Sequence, residues 1–112
     1  MGTEKLILFQ KFYDFNLWLY HLINYIPKSH KIILGQKIED VAVQTLVQIV
    51  YANKARNTER LNLQEKISTN LDTLRILIRL SKDLHFISIK QYTYAAKNIN
   101  EIAKIHRAWM NA

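Results

Sequence analysis

The chain has 112 residues, 49% of them hydrophobic, with two glycines, one proline and no cysteine. That length suits one domain around one core, the scarcity of glycine and proline disfavours turn-rich β folds and disorder alike, and the lack of cysteine removes disulfides, thiolate metal sites and cysteine nucleophiles. Sixteen Lys and Arg against nine Asp and Glu give a net charge of +7, which makes nucleic acid or another anionic surface a plausible partner.

Breaker signals divide the chain into four helical segments. The first is expected from about Thr3 to Ile26, because Phe12, Phe15, Leu19, Leu22 and Ile26 recur at spacings of three and four. Pro27 ends it. Lys11, Asp14, Asn16, His21 and Asn24 interrupt its apolar residues too often for an export signal or a membrane span, so a cytoplasmic protein is expected. Apolar residues at Leu6 to Phe9, Phe12, Tyr13, Phe15 and Leu17 to Tyr20 cover more than one face of this helix. Either it is the centre of the core, or a second stripe of Phe9, Tyr13 and Tyr20 joins another subunit, which is the preferred reading.

Ser29 is a fair N-cap for a second helix, running to about Arg56 or Asn57, with Leu34, Ile38, Val41, Thr45 and Ile49 on its inner face. Gly35 in it suggests close approach of a neighbouring helix. The third helix, about 62–85, is expected to open at Asn62 with a capping box to Glu65 and to bury Leu63, Ile67, Leu71, Leu74, Ile78 and Leu84. The fourth, about 88–111, opens with a second box, Ser88 to Gln91, and is expected to turn Tyr92, Ala96, Ile99, Ala103 and Met110 inward. Short connections between long helices favour antiparallel neighbours. The expected fold is therefore all-α, a single up-down-up-down four-helix bundle over residues 1–112.

No Glu-x-x-His pair, glycine-rich phosphate loop or Gly-x-Ser-x-Gly occurs, so neither an enzyme nor a metal or cofactor site is expected. His21, His30, His85 and His106 are scattered and are expected at the surface or an interface. The cations form lines. Arg75, Arg79 and Lys82 follow one another on the third helix, and Lys90, Lys97 and Lys104 stand at heptad spacing on the fourth with Arg107 beside them. Such a face either meets backbone phosphate or is a solvated face, with Asp72, Asp83 and Glu101 each able to pair within its own helix.

Three segments in order, IPKSHKIILGQKI (26–38), LDTLRILIRLSKDL (71–84) and EIAKIHRAW (101–109), resemble the accessory variability determinant proteins of diversity-generating retroelements. Pro27, Lys28, Lys31, Leu34, Gly35 and Gln36 fall on the first motif, Leu74, Arg75, Arg79, Leu80, Asp83 and Leu84 on the second, and Glu101, Ile102 and Trp109 on the third. Ile26 stands where that family has an aromatic residue, and 103–108 where it is richer in glycine. The resemblance implies a non-enzymatic homopentameric barrel that binds the retroelement reverse transcriptase and its template-repeat RNA, with DNA bound non-specifically. It adds Lys28 and Lys31 to the nucleic-acid-facing set of Arg75, Arg79, Lys82, Lys90, Lys97, Lys104 and Arg107. A related alternative is the four-helix protein encoded by intervening sequences of 23S rRNA genes, which has no reverse transcriptase partner.

Overall fold

A computed structural model describes residues 3–112, with side chains described from Ile7 onward, so that of Leu6 lies outside the described residues. Among the described residues there are four helices and no strand. They are α1 (Thr3–Ile23), α2 (28–54), α3 (Asn57–Asp83) and α4 (Ile89–Met110). Each packs on its neighbours in sequence and α4 returns to α1, closing a ring about an elongated body of 43 × 23 × 19 Å. The cross-links run antiparallel. Lys11 and Trp18 of α1 meet Glu101 and Tyr94 of α4, while Gln64 and Arg75 of α3 meet His106 and Asn100 of α4. No helix among the described residues is long and apolar enough to cross a membrane.

The core takes Leu8, Phe12, Phe15, Leu19 and Leu22 from α1, the periodic row expected. Helix α1 stops at Ile23, three residues early, because the backbone turns at Asn24 and Tyr25 ahead of Pro27; Ile26 is still buried, from the loop. Pro27, with extended ψ, is the N-cap of α2, and Ser29 lies inside its first turn. A π-helical turn at Lys31–Gly35 follows before regular α-helix at Gln36–Lys54. Gly35 is buried there, and a Cβ on it would lie 2.9 Å from Ile23 Cγ2, the close approach of helices that its presence suggested. Leu34, Ile38, Val41, Thr45 and Ile49 are all buried, and the Thr45 hydroxyl donates to the Val41 carbonyl at 2.7 Å.

Helix α3 begins at Asn57, five residues before Asn62, so Asn62 and Glu65 are interior helix residues and form no capping box. A left-handed Asn57 (φ 55°) lets the chain reverse after Ala55 and Arg56 alone. Arg60 then satisfies the end of α2, donating from Nε to the Ala52 carbonyl at 3.0 Å and from Nη2 to that of Asn53 at 3.2 Å. Ile67, Leu71, Leu74 and Ile78 are buried as expected, and Leu63 packs partly on the core. Leu84, beyond the last turn, is 46% exposed, and the row ends instead in buried Ser81, which donates to the Leu77 carbonyl. Ser88 and Gln91 do form their capping box, with bonds of 2.8 and 3.0 Å. The inward row of α4 is Ala95, Ile99, Ile102, His106 and Trp109. Of the residues expected inward, Ile99 is buried, whereas Tyr92, Ala96, Ala103 and Met110 lie on the adjoining flank, half-buried toward α3. His106 is therefore a core residue at 2% exposure and not a surface histidine.

Candidate nucleic-acid interface

Two rows of α3 and α4 flank the seam between these helices. Arg75 lies one position past buried Leu74, and Arg79 one past buried Ile78, so each stands beside the core stripe with its stem over the seam. Arg75 spans it, donating from Nη1 to Asp72 Oδ1 at 2.8 Å and from Nη2 to Asn100 Oδ1 on α4 at 3.2 Å. The Arg79 side chain is 71% exposed, with Nε 3.7 Å from Asp83. Lys82 lies 3.2 Å from the other Asp83 oxygen, and its ammonium sits over the Tyr92 ring at 4.6 Å.

Along this seam runs a groove of about 300 Å³ lined by Arg75, Ile76, Ile78, Arg79, Tyr92, Ala96, Ile99 and Asn100. A smaller one of about 160 Å³ continues past Arg75 toward Ser68, Asp72, Ala103, His106, Arg107 and Met110. Arg75 is the wall common to both. The seam thus gathers Arg75, Arg79, Lys82 and Arg107. Lys90, Lys97 and Lys104 are exposed on the adjoining outer face of α4, opposite its buried row.

Charge on this face is only partly matched. Glu101 does not pair within α4; it receives Lys11 of α1 at 2.9 Å. That hydrogen bond and the Lys11 charge, with a smaller pull from Lys97, hold the Glu101 carboxyl below its ordinary value. Among the described residues, Lys90, Lys97, Lys104 and Arg107 have no carboxylate at ion-pair distance.

Lys28 and Lys31 do not join this seam. They open α2, which packs on α1 and α3, and Lys31 lines a separate groove of about 360 Å³ with Tyr20, Ile32, Gln36, Glu39 and Asp40. Three cations missed by sequence reasoning, Lys54, Arg56 and Arg60, line a polar groove with Asn53 and Asn57 at the turn between α2 and α3. Their clustering within seven residues was the available signal. Of the residues assigned to a subunit interface, Tyr13 and Tyr20 are 42% and 62% exposed, while Phe9 is half-buried and stacks on Tyr13 at 5.9 Å. Leu17, 53% exposed and between the two tyrosines on the helix surface, extends that stripe, and Val43 and Val47 of the adjacent α2 are exposed as well.

Among the described residues no group of three or more metal-ligating side chains occurs. Fold and surface together define a basic four-helix-bundle protein. A family model described as bAvd-like matches residues 6–112, and the chain belongs to that family. The match spans all three segments that resemble accessory variability determinant proteins. No curated protein and no solved structure matches the chain.

Proposed function

We propose that this is a non-enzymatic accessory protein of a diversity-generating retroelement. In this reading it works in the cytoplasm as a homo-oligomer, a pentamer by the family resemblance, and binds the element's reverse transcriptase and template-repeat RNA during mutagenic copying. Membership of the bAvd-like family carries the reading, and the unmatched cations of α4 supply a physical means. A rigid bundle displays Lys90, Lys97 and Lys104 at heptad spacing along roughly 20 Å of helix, so that phosphates displace counterions at fixed positions. The polymerase brings the chemistry; the bundle holds the template.

The test is whether a reverse transcriptase is encoded beside this gene and co-purifies with the protein, together with RNA binding measured against salt. Affinity is expected to fall steeply with salt, and changing Lys90, Lys97 and Lys104 together to alanine should flatten the log–log slope by about 2. A protein that recovers neither the polymerase nor RNA would sink the reading and leave the intervening-sequence alternative.

A further inference from the structure

We propose that the larger groove on the α3–α4 seam takes one unpaired base of a single strand, an inference that rests on the nucleic-acid reading above. Its floor is Ile78 and Ile99, each 1% exposed, and small Ala96 leaves the space above them open. Tyr92 lines the same groove, its ring held by the Lys82 ammonium. At the wall, Arg75 engages Asn100 Oδ1 and so fixes the amide, whose two N–H donors have no partner among the described residues. Arg79 stands exposed at the mouth, its terminal nitrogens free of any hydrogen bond among the described residues. The occupant this set fits is flat and apolar over its faces, carries acceptors on its edge, and has an anion one short link away. That is a nucleotide.

Size and charge narrow the occupant further. At about 300 Å³ the groove lies at the small end of ligand clefts. It admits one base and excludes a duplex, whose bases are stacked inside and show only their edges. Arg79, Lys82 and Arg107 line the route on either side, which suits a strand continuing past the groove. Backbone contact on α4 would thus provide charge-driven affinity, and this groove a preference for unpaired strand.

The experiment uses a short single-stranded RNA carrying one 2-aminopurine, a duplex of the same length, and free mononucleotide. With the parent protein, 2-aminopurine fluorescence should change on binding, and mononucleotide should displace the strand only weakly. Ala96→Leu fills the groove without changing charge. It is expected to weaken single-strand binding by about fivefold to hundredfold, the range for losing one stacked base, and to leave duplex affinity and the salt slope alone. Circular dichroism of the variant checks its fold, and the fluorescence of the parent protein stands without it. Unchanged fluorescence on binding, or a folded Ala96→Leu variant that binds single strand like the parent, would each overturn the base site while leaving phosphate binding intact, and mononucleotide competing as well as the strand would overturn a strand as the occupant. Loss of all binding to both nucleic acids in the parent would overturn the functional reading as well.

Discussion

His106 Nε2 of α4 lies 2.8 Å from the Gln64 carbonyl oxygen of α3. A carbonyl can only accept, so Nε2 carries the proton and Nδ1 is a bare acceptor, buried without a partner. The ring packs edge-on to Trp109 at 5.8 Å. Burial lowers the pKa of His106 from its ordinary 6.5, with the Gln64 carbonyl opposing in smaller measure.

Acid should therefore loosen this end of the bundle. The folded state binds fewer protons than the unfolded one between the lowered pKa and 6.5. Stability is thus complete above 6.5 and is lost as pH falls through that window. Glu101, also lowered, contributes stability that is present above its ordinary 4.5 and lost as pH falls below it, so the loss from His106 begins at the higher pH. Thermal melts between about pH 7 and pH 5 should show a falling midpoint in the parent. In His106→Gln, which keeps an N–H donor for Gln64 and does not titrate, the midpoint should be flat across the same range. An equal slope in the variant would assign the acid sensitivity elsewhere.

Gly35→Ala should destabilise the fold although alanine is the better helix former. The propensity gain is about 1 kcal/mol. Against it, the added Cβ would lie 2.9 Å from Ile23 Cγ2 and 3.2 Å from Lys31 Cγ in a buried contact, and overpacking of that kind costs about 1–3 kcal/mol. The net loss expected is about 1 kcal/mol, a fall of roughly 4 °C in melting temperature for a domain of this size. A rise in midpoint would mean that the π-helical turn yields easily.

Self-association should run through the exposed side of α1. Tyr13, Leu17 and Tyr20 present apolar area that the bundle itself does not cover. Light scattering at micromolar concentration is expected to give a multiple of the 13.3 kDa chain mass. Leu17→Asp, at a position 53% exposed, should shift the mass to that of one chain without loss of helix content. A parent protein that is monomeric would remove both the interface and the pentamer.

Periodicity located the rows of α1 and α2 because a stripe such as Phe12, Phe15 and Leu19 needs only its own helix to define it. The Ser88 box was legible for the same reason, since its two bonds close within four residues. Asn62 and Glu65 offered an equal pattern, yet the start of α3 was set by Asn57, whose left-handed backbone no spacing rule reveals. In α4, two overlapping rows share Ile99, and the choice between them turned on His106, a polar residue admitted to the core by a carbonyl on another helix. The candidate site shows the same limit. Cations four apart were visible on α3, but the bond from Arg75 to Asn100, and the groove it walls, depend on the register of α3 against α4.

That bond also separates the roles of the two arginines. Arg75 uses its planar fork twice, toward Asp72 and toward Asn100, and a lysine there would reach one partner at a time. The pair is partly exposed, so Arg75→Lys should lower stability by no more than about 1 kcal/mol. It should also free the Asn100 amide and weaken single-strand binding. Arg79 carries only a 3.7 Å ion pair and is 71% exposed, so Arg79→Lys should leave the melting temperature unchanged. If Arg79 grips phosphate through two parallel N–H bonds, the lysine variant loses about 1–3 kcal/mol of binding, since its point charge cannot reproduce the fork. The double variant keeps the charge of +7, so long-range attraction is constant and any loss reports geometry alone. A double lysine variant with the parent's RNA affinity would make both arginines a solvated face, with Asp72 and Asp83 as their ordinary surface partners.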